Sequence, residues 1–241
     1  MSVSLLCQQK IKYRKDLSMS SLADNYRHLK ERIQQISQQY QQKTPTLICV
    51  SKTANLDQME ELYQLGVRDF AENRPQVFQD KYQHFAHSDV IWHYIGSLQR
   101  RPVKDIINQV DYFHALDRLK LAKEIQKRAD RPIKSFVQVN ISGEASKSGL
   151  NPHELVDFLN AIKDFDKILP IGLMTMAPKG ASTESYLEIF QALRNLRDQI
   201  QQNDPSQSSL TELSMGMSAD FVPAIQAGTS FLRIGSAFFA E

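Results

Sequence analysis

Residues 46–52 read Thr46-Leu47-Ile48-Cys49-Val50-Ser51-Lys52. The run follows Pro45, is short, apolar and partly β-branched, and ends abruptly in polar residues. It reads as a strand buried on both faces. Runs of the same kind recur at Val67–Ala71, Ile91–Ile95, Tyr112–Leu116, Phe136–Ile141, Ile171–Met174, Leu213–Gly216 and Phe231–Ile234. Between them lie Met59–Leu65, Gln76–Phe85, Val103–Val110, Leu119–Ala129, His153–Ile162, Glu184–Ile200 and Phe221–Ala227, each helical in spacing or composition. Buried strands alternating with helices predict a parallel sheet. Eight such units in about 200 residues predict an α/β fold closed as a single (β/α)8 TIM barrel, with an open doubly wound sheet as the competing architecture. No G-x-G-x-x-G follows the first strand, which counts against a dinucleotide site.

Upstream, Leu22, Tyr26, Leu29, Ile33, Ile36 and Tyr40 recur at steps of four and three. They predict an extra N-terminal helix within residues 20–42, capped by Ser21, with Asp24 at the capping-box position. Residues 1–19 read as a basic, solvated tail and residues 46–239 as the barrel, all in one domain of 241 residues. The polar stretch Gln201–Ser209 reads as a surface loop.

Twenty-nine basic against 27 acidic side chains leave a net charge of +2, which argues against broad binding to nucleic acid or membrane. No stretch approaches the length of a membrane span. The short Leu5-Leu6-Cys7 stretch precedes its charges, the reverse of a secretion signal. Cys7 and Cys49 form no metal-binding or disulfide pattern and read as reduced thiols of a cytoplasmic protein. The six histidines are scattered without metal-ligand spacing.

In a barrel, chemistry gathers where strands end. The first strand ends in Ser51-Lys52, the second in Glu72-Asn73; the third carries His93-Tyr94 and the sixth ends in Met174-Thr175. A lysine directly after an apolar strand is expected to be poorly solvated, with a lowered pKa, and so able to attack an aldehyde. The plainer reading is a lysine reaching out to solvent. Met217-Ser218 follows the seventh strand and Gly235-Ser236 the eighth, where barrels often hold a phosphate. Glycine lets an anion approach backbone N–H groups, and serine adds donors. Ser218 is also placed to cap the helix starting near Asp220. Arg233 shares a strand face with Gly235 and faces the mouth. Lysine, phosphate cradle and arginine together point to a phosphorylated aldehyde.

These residues carry a resemblance to the pyridoxal phosphate homeostasis proteins from about Leu47 to Phe239. The matching motifs are Val50-Ser51-Lys52-Thr53, Phe70-Ala71-Glu72-Asn73, Trp92-His93-Tyr94-Ile95-Gly96-Ser97-Leu98-Gln99 and Val139-Asn140-Ile141-Ser142 with Lys147-Ser148-Gly149. They continue with Gly172-Leu173-Met174, Leu213-Ser214-Met215-Gly216-Met217-Ser218-Ala219-Asp220 and Arg233-Ile234-Gly235-Ser236. The resemblance implies a monomeric or weakly associating barrel, similar to the N-terminal domain of alanine racemase, that holds pyridoxal 5′-phosphate as a Schiff base on Lys52. It implies that Ser218, Gly235 and Ser236 bind the phosphate, that Met217 is among the cofactor-binding residues, that Arg233 faces the pyridine nitrogen, that Asn73 contacts the cofactor near its ring, and that His93 and Met174 line the pocket. Arg100-Arg101-Pro102 stands where the family usually has Asn-Lys.

Three functions compete. The resemblance favours a non-catalytic holder that supplies pyridoxal phosphate to apo-enzymes through transient contact. A guanidinium cannot accept a proton, so Arg233 leaves the ring nitrogen unprotonated and weakens the cofactor as an electron sink. Racemases of this fold have a second base from another domain; none is expected here. An amino-acid racemase is the alternative, with His93 or Tyr94 as the first candidates for its second base. A colourless Schiff-base aldolase acting on a sugar phosphate is the third.

Overall fold

The computed structural model describes residues 21–144 and 147–239. The predicted basic tail, Cys7, Ala240 and Glu241 lie outside them. Eight parallel strands close into a barrel in sequence order. They are β1 (Thr46–Val50), β2 (Asp69–Glu72), β3 (Ile91–Tyr94), β4 (Tyr112–Leu116), β5 (Ile133–Gln138), β6 (Ile168–Met174), β7 (Glu212–Ser214) and β8 (Phe231–Ile234). Closure is made by β1 against β8, with Thr46 opposite Phe231 and Cys49 opposite Ile234. The open sheet is thereby excluded.

The helices among the described residues are α1 (Leu22–Gln39), α2 (Leu56–Gln64), α3 (Pro75–His84), α4 (Arg100–Ile106), α5 (Leu119–Arg128), α6 (Leu155–Ile162), α7 (Thr183–Asn203) and α8 (Phe221–Gln226). Ser21 caps α1, its Oγ accepting from the Asp24 N–H. Asp24 does not complete the box; its carboxylate accepts instead from the Ser21 hydroxyl and from Arg27. The helix is not an appendage. It packs against α8 and α2, and Tyr26 stacks on Phe238 just past β8. No helix follows β8 among the described residues, so α1 takes the eighth place in the outer ring. None of these helices is long and apolar enough to cross a membrane.

Several boundaries differ from the expectation, each for a local reason. Val67 is spent on ending α2: Gly66, at φ 95°, and Val67 return their N–H groups to Tyr63 and Leu62, a glycine-terminated helix end. The strand therefore starts at Asp69. Strands β5 and β6 begin earlier than their apolar runs suggest, through the exposed Lys134 and through Pro170. The pairing shifts by one residue beside that proline, which has no N–H for the ladder. Helix α7 continues over Gln201–Asn203, and a 3-10 turn spans Pro205–Gln207, so only part of the expected loop is irregular.

Two hydrophobic layers result. The larger lies between strands and helices. The smaller fills the barrel itself and contains Ile48, Val50, Ala71, Phe136, Met174 and Phe231. Rings occupy much of that interior: His93 stacks on Tyr112 and His114 on Phe136. Branched aliphatic side chains are the usual filling, so the polar rings here call for partners.

Candidate functional site

The C-terminal ends of the strands form one rim. Lys52 stands there, two residues beyond the inward-facing Val50, in the turn between β1 and α2. It is exposed, so the expected desolvation is not met: the strand stops at Val50 and lifts the side chain clear of the apolar interior. Its amine has neither hydrogen-bond nor ion-pair partner among the described residues.

What lies behind it is more constrained. The Ser51 N–H donates to Ala71 O, and Ser51 O accepts from the Ala54 N–H. The Ser51 hydroxyl donates to Glu72 Oε1 at 2.7 Å. Lys81, from α3, donates both to Ser51 O and to Glu72 Oε1. Glu72 and Lys81 are buried, and their ion pair measures 2.7 Å. This buried triad clamps the residue before Lys52. Sequence reasoning gave neither Glu72 nor Lys81 a role. Position supplied half of the signal, since Glu72 follows the inward Ala71 and so faces the helices; its partner on α3 had no local signature. Burial in the same region pushes the Cys49 thiol above its ordinary range.

Asn73 is half-buried beyond β2. Its carbonyl accepts from the Tyr94 hydroxyl at 3.3 Å and lies where a Cβ on Gly96 would stand, 2.0 Å away. Glycine at 96 thus lets the loops after β2 and β3 meet. Across the rim, Gly216 turns the chain at φ 95° and presents Met217 and Ser218, both half-buried. The Met217 N–H donates to the carboxylate of buried Asp220. Burial raises the pKa of Asp220, opposed by that bond and by the positive charge of Arg233.

Ser218 does not cap α8, whose capping position is Asp220. Its Oγ instead accepts from the Ala237 N–H at 3.2 Å, joining the loops after β7 and β8. The N–H groups of Ser218, Gly235 and Ser236 have no acceptor among the described residues. Gly235 has neither a positive φ nor a crowded Cβ position: its nearest neighbour would be Val50 O at 3.4 Å. Neither backbone nor packing demands glycine there, so the fold leaves a small cradle of donors. Such concave sets of N–H groups suit an anion.

Arg233 is buried under this rim. Nη1 donates to Ser214 Oγ at 2.6 Å and Nη2 to Thr175 O at 2.9 Å. A guanidinium has five N–H donors, so three remain without an acceptor among the described residues. Burial lowers its pKa to about 10, which still leaves it charged at neutral pH. Met174 is fully buried and belongs to the interior filling.

His93 stands apart from the rim. It is fully buried and touches Asp69, His114, Tyr112 and Phe231 in the interior. Tyr94 faces the helices, against Phe78 and Phe113. Both are 0 % exposed, so neither presents a base to the mouth. Arg100 and Arg101 are exposed on α4. At the opposite rim, Tyr112, Lys134, Arg194 and Phe231 help line a cavity of about 840 Å³.

A parallel barrel with an exposed lysine after β1, and unpaired loop N–H groups after β7 and the adjoining β8, has the architecture of the alanine racemase-like barrels. The family model for the alanine racemase N-terminal domain matches residues 24–241. The solved alanine racemase of Corynebacterium glutamicum shares the fold at a TM-score of 0.67 and 14% identity, over 90% of this chain and 60% of that one. Within this class the chain belongs to the pyridoxal phosphate homeostasis protein family. It is 37% identical to the protein of that name from Aquifex aeolicus, over 81% of this chain and 86% of the relative. The one from Vibrio alginolyticus is 34% identical over 92% and 97%. The PipY structure of Synechococcus elongatus with PLP bound superposes at a TM-score of 0.81 and 28% identity, covering 91% of this chain and all of that one.

Proposed function

We propose that this chain holds pyridoxal 5′-phosphate at the barrel mouth and supplies it to apo-enzymes through transient contact. In this reading it acts in the cytoplasm as a monomer, without robust catalysis of its own. The observation that carries the reading is the pair of joined loops after β7 and β8, in which the Ser218, Gly235 and Ser236 N–H groups have no acceptor among the described residues, on the same rim as the unpaired Lys52 amine. The family supports it, as does the relative solved with PLP.

When bound, the cofactor supplies an aldehyde with which a primary amine condenses. The residues divide the work of holding it. Ser218, Gly235 and Ser236 give N–H groups to the phosphate, and the Ser218 hydroxyl, already accepting from Ala237, keeps its own proton to donate. Met217 borders this cradle. Arg233 would offer the ring nitrogen a donor and never an acceptor, which would keep that nitrogen free of a proton. Asn73 and Met174 would line the pocket that holds the ring. The clamped Ser51 fixes where Lys52 begins, while the exposed side chain stays free to release what it holds. With His93 and Tyr94 shut away from the mouth, this rim has no second base from either of them.

The visible absorption spectrum tests this, recorded with and without added pyridoxal phosphate for the native protein and Lys52→Ala. A band in the native protein that Lys52→Ala lacks is the expected result. No band, even with excess cofactor, overturns the reading and turns attention to a colourless aldolase.

A further inference from the structure

A polar thread crosses the barrel interior beneath the mouth. It starts at Arg233, whose Nη1 donates to Ser214 Oγ. Ser214 Oγ lies 2.8 Å from His114 Nδ1. His114 Nε2 lies 3.0 Å from His93 Nδ1, and His93 Nε2 lies 3.0 Å from Asp69 Oδ1. The five residues come from β8, β7, β4, β3 and β2. Arg233, Ser214, His114 and His93 are buried. Asp69, the first residue of β2, keeps 21% of its side chain exposed toward the far rim.

The two ends dictate the direction of every bond. A guanidinium only donates and an ionised carboxylate only accepts. Ser214 Oγ accepts from Arg233 and, with neutral rings that must end by donating to the Asp69 carboxylate, gives its hydrogen to His114 Nδ1. His114 then carries its proton on Nε2 and donates to His93 Nδ1. His93 likewise carries its proton on Nε2 and donates to Asp69. The opposite order needs a protonated carboxyl or an imidazolium. Burial lowers the pKa of His93, partly offset by Asp69, and lowers that of His114 well below its ordinary value, with His93 and Arg233 adding to the effect. Both shifts favour the neutral ring. Asp111 and Lys134 also act on His93, with opposite signs; Lys134 sits over the Tyr112 ring.

A barrel interior has no need of such groups, and burying them is costly unless every one is bonded. Here each ring nitrogen has a partner. With a positive group at one end and a negative one at the other, all bonds point the same way and polarise one another.

We propose that Asp69, His93, His114 and Ser214 are positioning residues for Arg233. They hold the guanidinium in one place and leave its remaining donors for the ring nitrogen of the bound ligand. The ligand half of this rests on the cofactor reading above; the chain itself does not.

Nitrogen-15 NMR of the histidine rings in ligand-free protein tests the chain. His93 and His114 are expected as neutral Nε2–H tautomers, and Ser214→Ala is expected to release the preference at His114. In the same variant, affinity for pyridoxal phosphate should fall about tenfold, the scale of one lost hydrogen bond to a charged group, and the visible band should shift. Ser214→Thr, which keeps the hydroxyl, should retain tautomer, affinity and band. An Nδ1–H tautomer or an imidazolium at either ring of the native protein overturns the chain. A folded Ser214→Ala with unchanged affinity and band overturns its role toward the ligand. Should that variant fail to fold, the native tautomers and Ser214→Thr decide. Absence of binding to native protein overturns the cofactor reading and the ligand half with it, whatever the tautomers report.

Discussion

Two glycines at the mouth do opposite work. Gly216 is demanded by the fold, with φ at 95° and a Cβ position 2.6 Å from that of Ala224. Gly235 is demanded by nothing inside the protein. Its substitution therefore separates binding from stability. Gly235→Ala should melt within about 0.5 kcal/mol of the native protein and yet bind pyridoxal phosphate at least about tenfold more weakly, the cost of one hindered contact to an anion. Thermal melts and absorbance titration read both; lost stability with retained affinity would remove the cradle from the argument. Lys52 teaches a related lesson. Its place after an apolar strand suggested burial, but one extra residue of turn lifts it into solvent. Its availability follows from having no partner.

Among the elements, β2 and α3 act together on the residue before Lys52. Lys81 and Glu72 form a buried pair, and Glu72 Oε2 has no further partner. Removing one member leaves the other charge buried and alone, which costs about 3–5 kcal/mol. Lys81→Met should lose that much in urea unfolding, and Lys81→Met with Glu72→Leu should recover much of it. Recovery failing in the double variant would mean that Ser51 needs the pair for its own placement. The element types were legible in the sequence because each alternation of apolar strand and amphipathic helix is local. Their ends were less so. Val67 looked like strand, but it closes the turn after Gly66; Ser218 looked like a cap, but it bridges to Ala237. Both outcomes depend on which donors and acceptors the folded chain brings together.

For the molecule as a whole, the N-terminal helix completes the ring. Because α1 packs against α8 and α2, it should unfold together with the barrel. Ile33 is 2 % exposed, and Ile33→Ala should cost about 2–5 kcal/mol, with far- and near-ultraviolet circular dichroism melting together. A separate early loss of helix, with the barrel melting at its native temperature, would show α1 to be an appendage.

The sequence by itself determined eight buried strands, their alternation with helices, the rim residues Lys52, Asn73, Ser218, Gly235 and Ser236, and Arg233 beneath them. Strand periodicity and strand-end position are properties of neighbouring residues, and the motifs at those ends are contiguous. Only the tertiary structure decided between the predicted closed barrel and its open competitor, placed α1 in the last position of the ring, and set His93 away from the mouth with His114, Ser214 and Asp69. Each of these depends on groups far apart in the chain being brought within hydrogen-bonding or packing distance, and no local pattern encodes which of them will meet.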